Sequence, residues 1–337
     1  MFGGPAAAPR CPAPNRVATG RPMSRVGTAG ERHAALTRGR APGTLTRRES
    51  RVAWVMLLPV LIVVLGAVGY PLLRTLYLSF TDARLMAFTQ APPWVGLSNY
   101  AQALQSPAFQ AATGRTALFV VASVGLEVLL GVLAALLLNQ RFYGRALARA
   151  LLIVPLALPT VVNAIMWRWI YNPEYGALNA LLTQWHLLPE YRSWLGDPGS
   201  AMTMLIVADV WKNFPLVAIV ALSALQLMDR ALYEAADIDG AGAWTRFWRI
   251  TWPGILPVLS VAIVLRTIEA VKVFDLVFVM TRGGPADSTK TLSLLVFEQG
   301  FGFLRSGVGA AYAYLVVAIS AVLIALYLTL LRRQAAP

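Results

Sequence analysis

Several long apolar stretches of this sequence contain ionisable side chains, and these are the residues best placed to do chemistry. They are Glu127, Asp209, Lys212, Arg266, Glu269, Lys272 and Asp275. Because a charge in an apolar, membrane-like environment is costly, such residues are candidates for a functional role by default. Binding of a small polar molecule requires hydrogen-bond donors and acceptors together with aromatic faces. We therefore predict a solute path that contacts Trp211, Lys212, Asn213, Glu269, Lys272 and Asp275, with Phe274 beside them.

A structural interpretation of the same charges stays open. Asp209 and Lys212 have the three-residue spacing at which opposite charges pair on a helix. Four charges of the fifth apolar segment alternate in sign at that spacing: Arg266, Glu269, Lys272 and Asp275. Three-residue steps rotate by about 60° backwards on a continuous helix, so these four cannot all face one cavity, and Lys272 and Asp275 are the better lining candidates. Glu127 is predicted to be a helix-packing or ion-pair partner.

The sequence lacks the residue sets that several kinds of chemistry require. It contains no Ser-His-Asp set and no paired-histidine motif, which argues against an intramembrane enzyme. Cys11 is the single cysteine, and His33 and His186 have no partners at ligand spacing, so we expect no metal site. No G-x-x-x-x-G-K-[ST] phosphate loop occurs, so the chain is not expected to hydrolyse ATP itself.

The composition is that of a polytopic membrane protein. Of 337 residues, 57% are hydrophobic and only 13% are charged, and the mean hydropathy is +0.60. These values exclude an ordinary soluble domain. A helix needs about 20 residues to cross a bilayer, and backbone groups in hydrocarbon must bond within their own helix. We predict an all-α fold with six transmembrane helices at about 53–74, 115–139, 147–171, 201–228, 254–280 and 307–331.

The basic residues outside these segments predict the orientation of the chain. The net charge is +13, but the arginines flank the apolar segments, which favours contact with membrane lipid over nucleic acid. By the positive-inside rule both termini are cytoplasmic and the chain belongs to the cell membrane. Residues 1–51 form a basic, Pro- and Gly-rich tail that we expect to be disordered, and residues 52–337 form the transmembrane domain. The cytoplasmic arginines are Arg47, Arg48, Arg51, Arg141, Arg145, Arg149, Arg230, Arg246, Arg249, Arg332 and Arg333.

A polar segment, residues 229–253, separates the fourth and fifth apolar segments. Residues 232–239 contain good helix formers, and Gly240 and Gly242 permit a turn. Trp244, Phe247 and Trp248 fall on one helical face. Taken alone, this pattern also fits an amphipathic helix that lies on the membrane surface.

The same segment carries the spacing E-A-A-x-x-x-G, nine residues and then I-x-x-P, which resembles the cytoplasmic coupling loop of ATP-binding-cassette (ABC) importer membrane subunits. The likeness extends from about residue 52 to the C-terminus and is closest to the first membrane subunit of maltose-type importers for sugars and glycerol phosphates. Trp252 departs from the pattern, because the family usually has leucine there. Supporting pieces are Tyr70-Pro71-Leu72, Leu78-Ser79-Phe80-Thr81, Trp167-Arg168-Trp169, Asn172-Pro173, Trp194-Leu195-Gly196-Asp197, Phe274-Asp275 and Gly283-Gly284-Pro285.

The resemblance implies a function and a set of partners. A binding-protein-dependent permease of this kind moves a sugar by alternating access, while two separate ATPase subunits use the ATP and this chain binds no cofactor. A second permease subunit and an extracellular solute-binding protein complete the assembly. Trehalose or maltose is the expected kind of solute, glycerol phosphate or another small polar solute is the alternative, and an ATP-independent secondary transporter or channel is a further one. The docking residues implied are Glu234, Ala235, Ala236, Gly240, Ile250 and Pro253.

Overall fold

The computed structural model describes residues 47–86 and 92–334. These residues form helices and connecting loops, with one isolated β-bridge between Thr81 and Trp94 and no strand in the described ranges, as the all-α prediction requires. The helices are α1 (Arg47–Val64), α2 (Tyr70–Ser79), α3 (Ser98–Gln105), α4 (Pro107–Asn139), α5 (Arg145–Ala157), α6 (Thr160–Ile170), α7 (Ala177–Gln184), α8 (Pro198–Leu227), α9 (Arg230–Ile238), α10 (Ala243–Arg246), α11 (Trp252–Val271), α12 (Asp275–Met280), α13 (Leu292–Phe297) and α14 (Ser306–Gln334).

The first helix belongs to a separate unit, residues 1–65, and the remaining helices lie in the unit of residues 66–337. Helix α1 begins at Arg47, so the predicted disordered tail is wrong for residues 47–51. The rest of that predicted tail, residues 1–46, lies outside the described residues. Short π-helical turns follow α1 at Leu65–Gly69, precede α11 at Phe247–Thr251 and follow α13 at Glu298–Gly302.

Within the described residues, five helical runs are long and apolar enough to cross a membrane, and a bent pair raises the number to six if it counts as one span. The five runs agree with the first, second, fourth, fifth and sixth predicted segments, although their ends shift by several residues. They are Trp54–Ser79, Pro107–Asn139, Pro198–Leu227, Ala243–Val271 and Ser306–Tyr327.

The third predicted span, 147–171, is not one straight helix. Helices α5 and α6 meet at an angle of 99°. Proline at position 159 cannot donate a backbone hydrogen bond, and it disfavours the helical conformation of the preceding residue. Leu158 is accordingly extended, with φ −77° and ψ 132°.

The fifth predicted span, 254–280, has different bounds in the structure. Its helical run begins at Ala243 and ends at Val271, and the short helix α12 begins only at Asp275. The second half of the predicted polar loop 229–253 is therefore continuous with the span. At the break, the hydroxyl of Thr291 donates to the backbone carbonyl of Val273 at 3.2 Å, which satisfies a group that the interrupted helix leaves free.

Helices α4 and α8 form the centre of the larger unit, with α11 packed against both. Their closest approach is at Gly131, where a Cβ atom would lie 2.7 Å from the Cβ of Val217. Ala135, Ala218 and Ala221 are also fully buried. Small residues therefore permit the two helices to approach closely, as is typical of packing within membranes.

Helix α8 begins at a side-chain cap. The carboxylate of Asp197 accepts hydrogen bonds from the hydroxyl of Ser200 at 3.0 Å and from the N–H of Gly199 at 3.3 Å. These bonds stabilise the ionised form and lower the pKa of Asp197. The cap holds the N-terminal end of the helix that carries the candidate solute-binding residues.

Candidate functional site

A buried ion pair joins α4 to α11. The guanidinium of Arg266 donates from Nε to Glu127 Oε2 and from Nη2 to Glu127 Oε1, both at 2.7 Å. The side chain of Arg266 is 4% exposed and that of Glu127 is 0% exposed. The geometry is the bidentate arrangement in which arginine binds a carboxylate most strongly. The predicted role of Glu127 as an ion-pair partner is confirmed.

Two further carboxylates bind the same guanidinium. Nη2 of Arg266 donates to Asp209 Oδ2 at 3.1 Å, and Nη1 donates to Glu269 Oε2 at 2.7 Å. The amide of Asn213 donates to Asp209 Oδ1 at 3.0 Å. The cluster therefore connects α4, α8 and α11 through groups that could not be buried singly.

The expected pairing of Asp209 with Lys212 does not form. Asp209 contacts Arg266 instead, and the Nζ of Lys212 donates to the hydroxyl of Thr160 at 3.0 Å. Thr160 is the first residue of α6, directly after the bend at Pro159. The bend therefore brings a hydroxyl to the lysine, which a straight third span would not.

A polar cavity of about 270 Å³ opens beside the cluster. Of the six side chains predicted to contact a solute, five line it, and the sixth, Trp211, does not. Trp211 packs edge-on against Trp167, with ring centroids 5.8 Å apart, because one residue along a helix turns the side chain by about 100° from Lys212. The lining residues are Thr160, Asp209, Lys212, Asn213, Arg266, Glu269, Lys272, Val273, Phe274, Asp275 and Leu276.

The break between α11 and α12 changes which charges can meet. Arg266, Glu269, Lys272 and Asp275 all line the cavity, so the expectation that they could not face one cavity is wrong. That expectation assumed a continuous helix, whereas Lys272 caps the end of α11 and Asp275 lies in the first turn of α12. A cation at a helix C-terminus and an anion at a helix N-terminus are each favoured by the helix dipole.

Sequence reasoning missed three lining residues: Thr160, Val273 and Leu276. Thr160 had one signal, its place directly after Pro159, since a proline bend near the middle of a span opens space for a neighbouring side chain. Val273 and Leu276 are apolar residues of the helix break and carried no such signal.

The polar segment between α8 and α11 has well-defined ends. Asp229 caps α9 by accepting a hydrogen bond from the N–H of Ala231 at 2.9 Å. At the other end Gly240 adopts φ +70°, and the N–H of Ala241 donates to the carbonyl of Ala236 at 2.9 Å. This is the six-to-one bond of a Schellman ending, in which glycine takes the left-handed position.

Three of the predicted docking residues lie on the exposed helix α9, and Gly240 follows its end. Glu234 and Ala235 are exposed, as is Gly240, whereas Ala236 is buried. Ile238, which also lies on α9, is 87% exposed. Ile250 is half-buried and Pro253 is exposed in the first turn of α11. An exposed helix with an apolar residue at its tip is the surface that a docking element requires.

The second half of the segment is held by side-chain contacts. The hydroxyls of Tyr233 and Thr251 lie 3.0 Å apart in a hydrogen bond, and the guanidinium of Arg246 donates to the carboxylate of Asp237. Both contacts tie α9 to the helical run that enters the membrane segment. The π-helical turn Phe247–Thr251 is followed by Trp252 and then by Pro253, whose missing N–H leaves a carbonyl one turn earlier without its usual partner.

Aromatic rings cover one face of this run, as their spacing predicts. Trp244 and Trp248 have centroids 5.7 Å apart, and Phe247 and Trp248 have centroids 5.1 Å apart. Trp252 joins them at 5.8 Å from Trp248. Replacement of the usual leucine by Trp252 therefore keeps an apolar contact. With α4, the four rings line an apolar groove of about 550 Å³.

Comparison with known proteins gives a consistent result. Residues 127–336 match the family described as "Binding-protein-dependent transport system inner membrane component". The chain is 41% identical over 271 residues to the trehalose/maltose transport system permease protein MalF of Thermococcus litoralis, covering 80% of this chain and 90% of that protein. It is 34% identical over 283 residues to the sulfoquinovosyl glycerol transport system permease protein SmoG of Agrobacterium fabrum, covering 84% and 91%.

Solved structures show the same fold. A chain of a bacterial ABC transporter involved in the import of the acidic polysaccharide alginate superposes with a TM-score of 0.72 at 24% identity, covering 85% of this chain and 96% of that one. A second structure of an alginate ABC transporter, in complex with an alginate pentasaccharide-bound periplasmic protein, gives a TM-score of 0.71 at 24% identity. At this identity the likeness establishes the arrangement of helices.

Proposed function

This chain belongs to the family of binding-protein-dependent transport system inner membrane components, and on that premise we propose that it forms the path of an importer for a di- or oligosaccharide such as trehalose or maltose. It is a multi-pass inner membrane permease subunit without a catalytic site, and ATP hydrolysis belongs to a separate subunit. The sugar assignment draws support from two relatives, a trehalose/maltose permease and a sulfoquinovosyl glycerol permease.

The observation that carries the proposal is the polar cavity between the bent pair α5/α6, α8 and the α11/α12 break. Its lining offers donors from Lys212 and Lys272 and acceptors from Glu269, Asp275 and the amide oxygen of Asn213. A polyhydroxyl solute needs both kinds of partner, because its hydroxyl groups lose hydrogen bonds to water when it enters a cavity. About 270 Å³ accommodates a sugar unit.

Helix α9 is the proposed docking element for a partner ATPase. Glu234 and Ala235 project from an exposed helix, and Gly240 ends that helix with a backbone conformation that favours glycine. Contacts from Tyr233 to Thr251 and from Asp237 to Arg246 connect this helix to the membrane segment. A force applied at α9 is therefore transmitted to α11, which carries Arg266 and Glu269.

The proposed assembly contains two permease subunits, two ATPase subunits and an extracellular solute-binding protein. The described residues supply five or six candidate spans, which are few for a complete importer path, and this supports a second, similar permease subunit. The basic residues beside α9 and α11 support a cytoplasmic position for this side of the molecule, and with it cytoplasmic termini. Alternating access follows when ATP-driven movement of the docked segments rocks the bundle between two states.

The test is ATP-dependent uptake of trehalose and maltose by the full assembly reconstituted in proteoliposomes. We expect Asp275→Ala and Lys212→Ala each to raise the half-saturation concentration by about tenfold, since each removes a hydrogen-bonding group from the cavity. Trp211→Phe, which alters α8 outside the cavity, is the matched control and should leave it unchanged. Unchanged affinity in both cavity variants, or uptake without ATP, would remove the proposal.

A further inference from the structure

We infer that the cavity beside Arg266 selects uncharged polyhydroxyl solutes and disfavours anionic ones such as sugar phosphates, uronates and glycerol phosphate. The inference rests on the proposed function, because it assigns a substrate class to the same cavity. It separates two solute classes that the sequence leaves open, and it does so from the charges that line the cavity.

The side chain best suited to bind an anion is already occupied. Arginine binds carboxylates and phosphates through its planar fork of five N–H groups. In this cavity both arms of the fork and Nε of Arg266 hold Glu127, Asp209 and Glu269, through four hydrogen bonds of 2.7–3.1 Å. One N–H remains, so among the described residues that line the cavity an incoming anion meets no guanidinium that is free of carboxylates.

The remaining charges do not supply a surplus of positive charge. The lining has three cationic side chains, Lys212, Arg266 and Lys272, against the three carboxylates Asp209, Glu269 and Asp275. Glu127 lies directly behind the guanidinium and adds a fourth carboxylate. An anionic solute would add another negative charge to a weakly screened site, where an unpaired charge is strongly unfavourable.

The two lysines of the lining are also poorly placed to bind an anion. The Nζ of Lys212 already donates to the hydroxyl of Thr160 at 3.0 Å. Lys272 lies in the chain between Glu269 and Asp275, and all three line the cavity. An anion within reach of Lys272 therefore also faces carboxylates.

An uncharged sugar meets the opposite situation. Each hydroxyl both donates and accepts, so it can bond to a lysine and to a carboxylate at once. The amide nitrogen of Asn213 already donates to the backbone carbonyl of Asp209 at 2.9 Å and to its Oδ1 at 3.0 Å, so Asn213 offers its amide oxygen as an acceptor. Phe274 also lines the cavity and offers an apolar surface for the C–H face of a sugar ring. The mixture of signs that repels an anion thus suits a polyhydroxyl solute.

The experiment measures equilibrium binding to the assembled transporter in nanodiscs without the solute-binding protein, so that only the cavity discriminates. Radiolabelled probes are used in matched pairs: trehalose with trehalose 6-phosphate, and glucose with glucuronate. We expect the neutral member of each pair to bind at least about tenfold more tightly. Glu269→Gln should reduce that preference about tenfold, since it removes one negative charge and frees Nη1 of Arg266.

A second variant and a control complete the design. Asp275→Asn should shift the preference in the same direction as Glu269→Gln. Glu298→Gln removes a carboxylate that pairs with Lys290 outside the cavity, and it should leave the preference unchanged. Equal or tighter binding of the anionic probes, binding of neither member, or an unchanged preference in both cavity variants would overturn the inference. Failure of the proposed function gives a different result: uptake then does not require ATP, or it is unchanged in the Lys212→Ala and Asp275→Ala variants.

Discussion

The segment around α9 and the ion cluster around Arg266 are stabilised in opposite ways. In the segment, bonded partners are close in sequence: Asp237 and Arg246 are nine residues apart, and Tyr233 and Thr251 are eighteen apart. In the cluster, Glu127 and Arg266 are 139 residues apart and come from helices that meet only in the folded bundle. The first region is exposed and local, and the second is buried and long-range.

Because of this difference, we expect the buried cluster to determine the stability of the fold and the exposed segment to determine coupling to the ATPase. Loss of a side chain from an exposed helix leaves no buried group without a partner, so it should change stability little while it alters the docking surface. Loss of one partner from a buried ion pair leaves an uncompensated charge in a low-dielectric interior. We therefore expect variants in the two regions to fail by different measurable routes.

The largest expected effect lies in the exposed region. Glu234→Lys reverses a charge on α9, and Gly240→Asp places a Cβ-bearing residue at φ +70°. Each should abolish ATP-driven uptake while the permease remains inserted at normal level, as measured by transport and by quantitative membrane immunoblotting. Gly242→Asp is the control, because Gly242 has an ordinary extended conformation. If the Gly240→Asp or the Glu234→Lys variant transports solute with normal ATPase coupling, the exposed segment does not have the docking role that we expect.

The next effect lies in the buried region. Arg266→Ala leaves Glu127 buried without its cation, and it should destabilise the permease by about 3–5 kcal/mol. The measurement is thermal unfolding of the purified protein in detergent, with the yield of folded protein as a second readout. Arg305→Ala, which truncates an exposed arginine, should shift the free energy of unfolding by about 0.5 kcal/mol or less. Equal stabilities of the two variants would show that the cluster is not a structural anchor.

The smallest effect tests the link between the two regions. Tyr233→Phe removes the hydroxyl that bonds to Thr251, which should weaken the attachment of α9 by about 0.5–1.5 kcal/mol. Hydrogen exchange of the α9 amides should accelerate correspondingly. Tyr175→Phe removes a hydroxyl from an exposed ring and serves as the control. No change in α9 exchange would mean that this bond does not fasten the helix.

The local features of the molecule were predictable from its sequence. The end of α9 at Gly240, the shared face of Trp244, Phe247 and Trp248, and the apolar spans all follow from spacing and residue type. The pairing of Glu127 was also predictable in kind, since a carboxylate in an apolar helix requires a partner. The identity of that partner was not, because it depends on how α4 and α11 pack.

The errors share one physical cause. Hydropathy measures how apolar a segment is and not whether its helix is continuous, so it located neither the bend at Pro159 nor the break before Asp275. Each interruption redirects side chains: one brings Thr160 to Lys212, and the other lets Asp275 share a cavity with Glu269. The exclusion of Trp211 from that cavity follows from its direction on α8, which spacing alone did not decide.

Gly131 has a mechanical consequence. Its missing side chain lets the Cβ of Val217 approach to 2.7 Å from the position that a Cβ atom would take, so α4 and α8 interlock at this point. Sliding or rolling of one helix past the other would produce a steric clash, and we therefore expect the two helices to move as one rigid body. We expect any rocking motion to hinge where the helices are interrupted instead, at Pro159 and at residues 272–274.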